Sequence, residues 1–160
     1  MSCRFPIAAL IAVFLGAIQP LHADNLLAGT WTIIRAEAAP WSGNKTDPPH
    51  WKEVPTFVGK RVTFAAGQIE GPSLLACDRP NYRMVDFPAA GLFQGGLGEF
   101  EQSGGRKAED TATAIGFATR PIRTLITDCM HSIDYHMSDA NHAAFALDNM
   151  IYWLKRDGTP

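Results

Sequence analysis

Gly29-Thr30-Trp31-Thr32-Ile33-Ile34-Arg35-Ala36 reads as a β-strand. Trp31, Ile33 and Arg35 recur with the two-residue period that sends alternate side chains to opposite faces. Similar short stretches follow to the C-terminus, separated by turn residues. Lys60 to Ala65 carries Val62 and Phe64 on one face, and Leu74 to Cys77 and Asn81 to Phe87 flank the turn-like Asp78-Arg79-Pro80. Thr111 to Thr119, Ile122 to Cys129, His131 to Met137, Ala143 to Leu147 and Met150 to Arg156 complete the set. Glycine and proline are scattered throughout, which discourages long helices. Thr56 to Gly59 is the best helix candidate, as a single turn. Nothing long enough for a crossover helix separates the strands, so a parallel α/β sheet is disfavoured. The expectation is an all-β antiparallel barrel or sandwich.

The segment Met1 to Ala23 reads as a secretory signal peptide. Arg4 supplies its positive end, Phe5 to Ile18 its apolar run, and Leu21-His22-Ala23 ends in a small residue. The run falls short of the roughly 20 residues of a membrane span, so no stable membrane insertion is expected after cleavage. Cys3 lies in the positive region, which argues against a lipid-anchored form. Residues 24–160 then form one β-barrel domain. Without Arg4 the chain has 13 basic and 16 acidic residues, a net charge of −3. That balance offers no basic footprint for nucleic acid. The expected location is periplasmic or secreted.

Export leaves Cys77 and Cys129, an even pair in an oxidising compartment, which reads first as a disulfide. It would close a loop of roughly 53 residues and contribute about 4 kcal/mol in the chain-entropy model. Two free buried thiols are the alternative. Two cysteines without C-x-x-C spacing offer neither a structural zinc motif nor a redox motif.

Two segments interrupt the strand rhythm. Glu37 to Pro55 is proline-rich and carries Trp41 and Trp51, and Gly91 to Asp110 is glycine-rich. Long loops in compact proteins often serve as lids or binding loops. Trp41, Trp51, His50 and Phe93 are therefore the candidate ligand-binding residues. The competing reading is that the tryptophans fasten the first loop to the barrel. Asn44-Lys45-Thr46 matches a glycosylation acceptor, and Glu99 and Glu101 read as solvated.

Gly29-Thr30-Trp31 at the opening of a first strand resembles the Gly-x-Trp signature of lipocalins and related calycins. The resemblance implies an eight-stranded lipocalin-like barrel in which Trp31 plugs the closed end, with Gly29 at the strand opening. It also implies a basic residue of the last strand, Arg156 or Lys155, packed over the ring. Ile133-Asp134-Tyr135 stands where lipocalins carry Thr-Asp-Tyr, with the threonine missing. A long first loop is a further shared feature.

The densest polar cluster is Asp128-Cys129-Met130-His131-Ser132-Ile133-Asp134-Tyr135-His136, followed by Asp139 and His142. On a strand, Asp134 and His136 share one face, and Ile133, Tyr135 and Met137 the other. The pair could orient an imidazole or contribute to a metal site, with His131 or His142 as third ligand. The competing reading is the solvated outer face of a half-buried strand. There is no Gly-x-Ser-x-Gly elbow, and no P-loop, dinucleotide fingerprint or His-Glu-x-x-His motif. No catalytic residue, resident metal or cofactor is therefore assigned.

Three functions remain on these residues. The first is a non-enzymatic binding protein holding a small, largely apolar ligand inside the barrel. That reading needs an open interior, yet Ile33, Phe64, Met84, Phe117, Tyr135, Phe145 and Trp153 are bulky inward candidates. The second is a protein-interaction module, such as an inhibitor of an envelope hydrolase, acting through loop aromatics. The third is a metal-dependent enzyme using Asp134 and His136.

Overall fold

The computed structural model describes residues 27–43, 48–118 and 121–158. The leader-like segment and the Asn44-Lys45-Thr46 match lie outside the described residues. Nine strands form one antiparallel sheet: β1 (Gly29–Ala38), β2 (Arg61–Ala65), β3 (Gln68–Glu70), β4 (Cys77–Asp78), β5 (Arg83–Phe87), β6 (Ile122–Ile126), β7 (Tyr135–Met137), β8 (His142–Leu147) and β9 (Met150–Arg156). Their order is β4-β3-β2-β1-β9-β8-β7-β6-β5, so two meanders are joined where the first strand pairs with the last. Among the described residues the α-helices are few and short: α1 (Val54–Phe57), α2 (Gly96–Gln102) and α3 (Ala108–Ala114).

The sheet curls into a half-barrel, and its two edges are consecutive in sequence. Eight antiparallel pairings separate β4 from β5, so the two run in the same direction. Cys77 to Phe87 thus acts as one bent strand, pairing with β3 through its first half and with β6 through its second. Arg79 (φ 54°) and Pro80 make the bend. Counted in this way, the sheet has eight strands, the number that the lipocalin-like resemblance implies. Two cross-links hold the seam. The Tyr82 hydroxyl donates to the Ala65 carbonyl at 2.8 Å, and Cys77 is bonded to Cys129 with Cα atoms 5.8 Å apart. Cys77→Ala should therefore lower stability by about 2–4 kcal/mol in denaturant titration. Two freely alkylated thiols in native mature protein would show that the cross-link does not form.

Alternation along the strands sends Trp31, Ile33, Phe64, Tyr135, Phe145 and Tyr152 into the barrel, where each is at most 1% exposed. Their rings meet in series. Phe64 contacts Tyr135 at 4.9 Å, Tyr135 contacts Phe145 at 5.6 Å, Phe145 stacks on Tyr152 at 5.1 Å, and Tyr152 meets Phe57 of α1 at 4.9 Å. Aromatic pairs at such spacings add to the effect of burial alone. At the other end Trp31 donates its Nε1–H to the Leu27 carbonyl at 2.7 Å, and the Arg156 guanidinium lies 4.3 Å from its ring centre. Of the two basic residues suggested for this contact, Arg156 makes it.

The chain between β5 and β6 forms a second layer on the outside of the sheet. Leu92, Phe93, Leu97, Ala112 and Phe117 pack there against Ile122, Ala144, Ile151 and Trp153. Phe117 and Trp153, which the sequence reading placed among the inward candidates, therefore belong to this outer layer. A bulge in β1 between Ile33 and Arg35 turns Arg35 and Glu37 toward Trp153. Arg35 covers the ring at 4.4 Å, and Glu37 accepts the indole N–H at 2.7 Å.

Helices replace two sequence expectations in this layer. Thr111 to Thr119, read as a strand, begins inside α3, where Ala108, Thr111 and Ala112 are buried at helical spacing. Short apolar runs carry both periods, and the partner surface decides between them. Glu101, exposed as the sequence reading expects, also accepts the Ala108 amide N–H at 2.9 Å at the start of α3. The glycine-rich stretch contains α2, and Gly98 is a packing residue. A Cβ there would lie 2.8 Å from the Ala90 carbonyl.

Candidate functional site at the first-loop end

Strand directions bring four connections to one end of the barrel. They are the loop after β1, the β3–β4 segment, the β6–β7 segment with its disulfide, and the β8–β9 turn. The last is a two-residue turn, with Asp148 (φ 50°) and Asn149 (φ 59°) both left-handed between the paired Leu147 and Met150. Asp and Asn tolerate that geometry better than most residues. The turn anchors the first loop, because the Asn149 carbonyl accepts the Ala39 amide at 2.9 Å and the Asp148 carbonyl accepts the His50 amide at 3.4 Å.

The four candidate ligand residues separate into two pairs here. Trp41 is half-buried: its Nε1–H donates to Asn149 Oδ1 at 3.0 Å, and its ring meets Phe93 at 5.7 Å. Phe93 is 3% exposed and belongs to the outer-layer core. This pair fastens the first loop to the second layer. Trp51, in contrast, is 56% exposed, on the single 3₁₀ turn Trp51–Glu53, with His50 exposed beside it.

Two other apolar side chains stand out on the same rim. Leu74, in the β3–β4 segment, is 37% exposed, and Met130, beside the disulfide, is 92% exposed. A groove of about 390 Å³ runs between the first loop and the β3–β4 segment. It is lined by Glu53, Thr56, Phe57, Pro72, Leu74 and Asp148.

His50, Glu53 and Asp148 converge at the edge of this groove. One ligand atom from each lies within 4.8 Å of the others, and His50 Nδ1 is 3.5 Å from Glu53 Oε1. The 3₁₀ turn is the local cause, since residues three apart in that helix eclipse one another. Tyr152 packs on Phe57 of the same groove, and its hydroxyl is buried and without a hydrogen-bond partner among the described residues. Burial, reinforced by the charges of Glu53 and Asp148, pushes its phenol up to about 12. The sequence reading found His50 and missed both carboxylates. His50-x-x-Glu53 was visible as a spacing, but nothing in the chain ties it to Asp148.

The strand face of His136 is not solvated, because the second layer covers it there. His136 is fully buried, and its ring meets Phe93 at 4.9 Å and Phe117 at 6.4 Å. The Phe93 amide N–H donates to His136 Nε2 at 2.8 Å, which makes Nε2 the acceptor. Nδ1 then carries the proton and donates it to Thr124 Oγ1 at 2.8 Å. Neither nitrogen has a lone pair left for a metal. Burial drops the imidazole to about 3, so the ring is neutral at ordinary pH. Asp134 is buried as well, and burial raises its carboxyl against the opposing pull of Arg83. The suggested third ligands lie elsewhere. His131 is exposed on the β6–β7 segment, and His142 bonds Asp139 at 3.0 Å in the β7–β8 turn, at the opposite end of the barrel.

Comparison with known proteins finds no matching family profile, no similar curated protein and no similar solved structure.

Proposed function

We propose that this protein is an exported, non-enzymatic binding module that engages a protein partner through the loops at the first-loop end. The observation that carries this reading is the aromatic filling of the barrel, from Phe64 through Tyr135, Phe145 and Tyr152 to Phe57. Those rings take up the space in which a small apolar ligand would sit. Trp51, Leu74 and Met130 meanwhile offer apolar area to solvent on one rim. Tryptophan in particular is enriched among residues that dominate interface energies. Export is supported by the leader-like Met1 to Ala23 and by the disulfide, which persists in oxidising compartments. A partner in the same compartment, such as an envelope hydrolase held inactive, fits this placement.

Photo-crosslinking residues at Trp51 and Met130 are expected to capture one protein from the native envelope. The same residue at Asn141, at the opposite end, should capture none. A retained apolar molecule in native mass spectrometry, with no adduct from either rim position, would move the function back to the barrel interior. Single substitutions separate anchoring from fastening. Trp51→Ala should change stability by no more than about 0.5 kcal/mol while weakening partner binding. Trp41→Ala should cost about 2–3 kcal/mol and leave partner contacts in place. Equal stability losses for the two in thermal melts would contradict this division.

A further inference from the structure

We propose that His50, Glu53 and Asp148 form a binding site for a divalent ion of the zinc class, open to the groove beside Leu74, with Tyr152 as a positioning residue. This inference does not depend on the partner-binding reading. Three side chains of suitable chemistry converge, one imidazole and two carboxylates, with ligand atoms within 4.8 Å. Three protein ligands with a position left open is the pattern of zinc sites that accept an exogenous group. The imidazole favours a first-row transition ion over calcium or magnesium, which prefer all-oxygen sites. Ligation at about 2.0–2.2 Å draws the ligand atoms in to roughly 3.5 Å. His50 Nδ1 and Glu53 Oε1 are already at that separation. The remaining movement falls to the Asp148 side chain, whose residue is exposed.

The backbone around the site is held by hydrogen bonds. The Glu53 amide donates to the His50 carbonyl at 3.1 Å, and the His50 amide donates to the Asp148 carbonyl. Glu53 and Asp148 also line one groove together with Phe57, whose ring packs on Tyr152.

Tyr152 is the second, independent observation. A buried hydroxyl without a partner is costly, and native interiors rarely contain one. This one belongs to the ring that packs on Phe57, which lines the groove together with the two carboxylates. Unpartnered as it stands, its O–H would donate to a ligating carboxylate oxygen or to a water on the ion once the ligands close in, as outer partners of metal ligands commonly do. Because Glu53 and Asp148 line the groove, an incoming molecule seated there would complete the sphere with a carboxylate or phosphate oxygen.

The test uses metal-stripped mature protein and zinc alone, followed by calorimetry. One zinc per chain is expected, with calcium and magnesium binding far more weakly. His50→Ala and Glu53→Gln should each reduce zinc affinity at least tenfold, and the double variant His131→Ala/His142→Ala should not. Tyr152→Phe separates positioning from packing. It should leave the metal-free melting temperature unchanged or raised, since it removes an unpartnered hydroxyl, yet lower zinc affinity by about tenfold or more. Absence of saturable zinc binding would overturn the proposal. So would zinc binding that survives both His50→Ala and Glu53→Gln, or calcium binding as tight as zinc. If Tyr152→Phe destabilises the metal-free protein and leaves zinc affinity intact, Tyr152 has no positioning role.

Discussion

Trp31→Ala should lower the unfolding free energy by about 3–5 kcal/mol, the range for removing a buried large aromatic. The ring is 0% exposed, and its indole N–H donates to the Leu27 carbonyl at 2.7 Å. Truncation leaves a cavity where β1 meets β9 and takes away that donor. The stacked guanidinium adds less, because a cation–π contact at an exposed site contributes about 0.5–1 kcal/mol. Arg156 also donates to the Ala28 carbonyl at 2.8 Å and so ties the start of β1 to the end of β9. The expected ranking in urea titration is therefore Trp31→Ala well above Trp31→Phe, which keeps one six-membered ring in the site while losing the N–H and part of the buried volume. An unchanged midpoint for Trp31→Ala would show that this end of the barrel is not closed by its tryptophan.

Acid should unfold the protein through His136. An ordinary imidazole titrates near 6.5 and this one near 3, because burial disfavours its charged form. The unfolded chain therefore binds the proton first. Stability is fully present above about pH 6.5 and is lost as pH falls toward 3, by about 1.4 kcal/mol per unit. Between pH 6.5 and 4.5 the loss is about 2 kcal/mol, and the full window holds about 5 kcal/mol as an upper figure. Protonation also removes the lone pair that accepts the Phe93 amide N–H. Phe93 and Gln94 adopt φ of 56° and 55°, so that bond holds an unfavourable stretch of backbone. His136→Gln should start from a lower stability and show a much flatter pH dependence over the same window. Parallel curves for the two proteins in urea titrations would refute the assignment to His136.

His136 also shows where sequence reading stops. Its strand face was legible, since Ile133, Tyr135 and Met137 do point inward and His136 outward. Whether outward meant solvent depended on residues 88–118, which the sequence presents as a glycine-rich loop followed by a strand. Those glycines were ambiguous because the same residue serves flexible loops and close packing. Gly98 has the second role, against the Ala90 carbonyl. Strands β8 and β9 carried a usable hint. Ala143 to Phe145 and Met150 to Leu154 are continuous buried runs without a polar alternate, which signals a strand covered on both faces.

The candidate site was half legible for a similar reason. Trp51 and His50 stood out because prolines flank them, whereas Trp41 and Trp51 looked equivalent and are not. One donates to Asn149 and packs on Phe93, and the other faces solvent. The short β3 was missed altogether, because Gln68-Ile69-Glu70 has a single apolar residue and becomes a strand only through its pairing with β2.

Local chemistry determined the all-β class, the inward set of Trp31, Ile33, Val62 and Phe64, and the pairing of Cys77 with Cys129. Each follows from a period of two residues, or from cysteine parity, over stretches whose neighbours are adjacent in the chain. Tertiary structure alone decided that Cys77 to Phe87 would serve both edges of the sheet, that a helical layer would bury His136, and that Asp148 would meet His50 and Glu53. Those outcomes depend on strand register and sheet curvature, which bring together loops far apart in sequence. A side-chain pattern records which face a residue takes, but not what arrives to cover it.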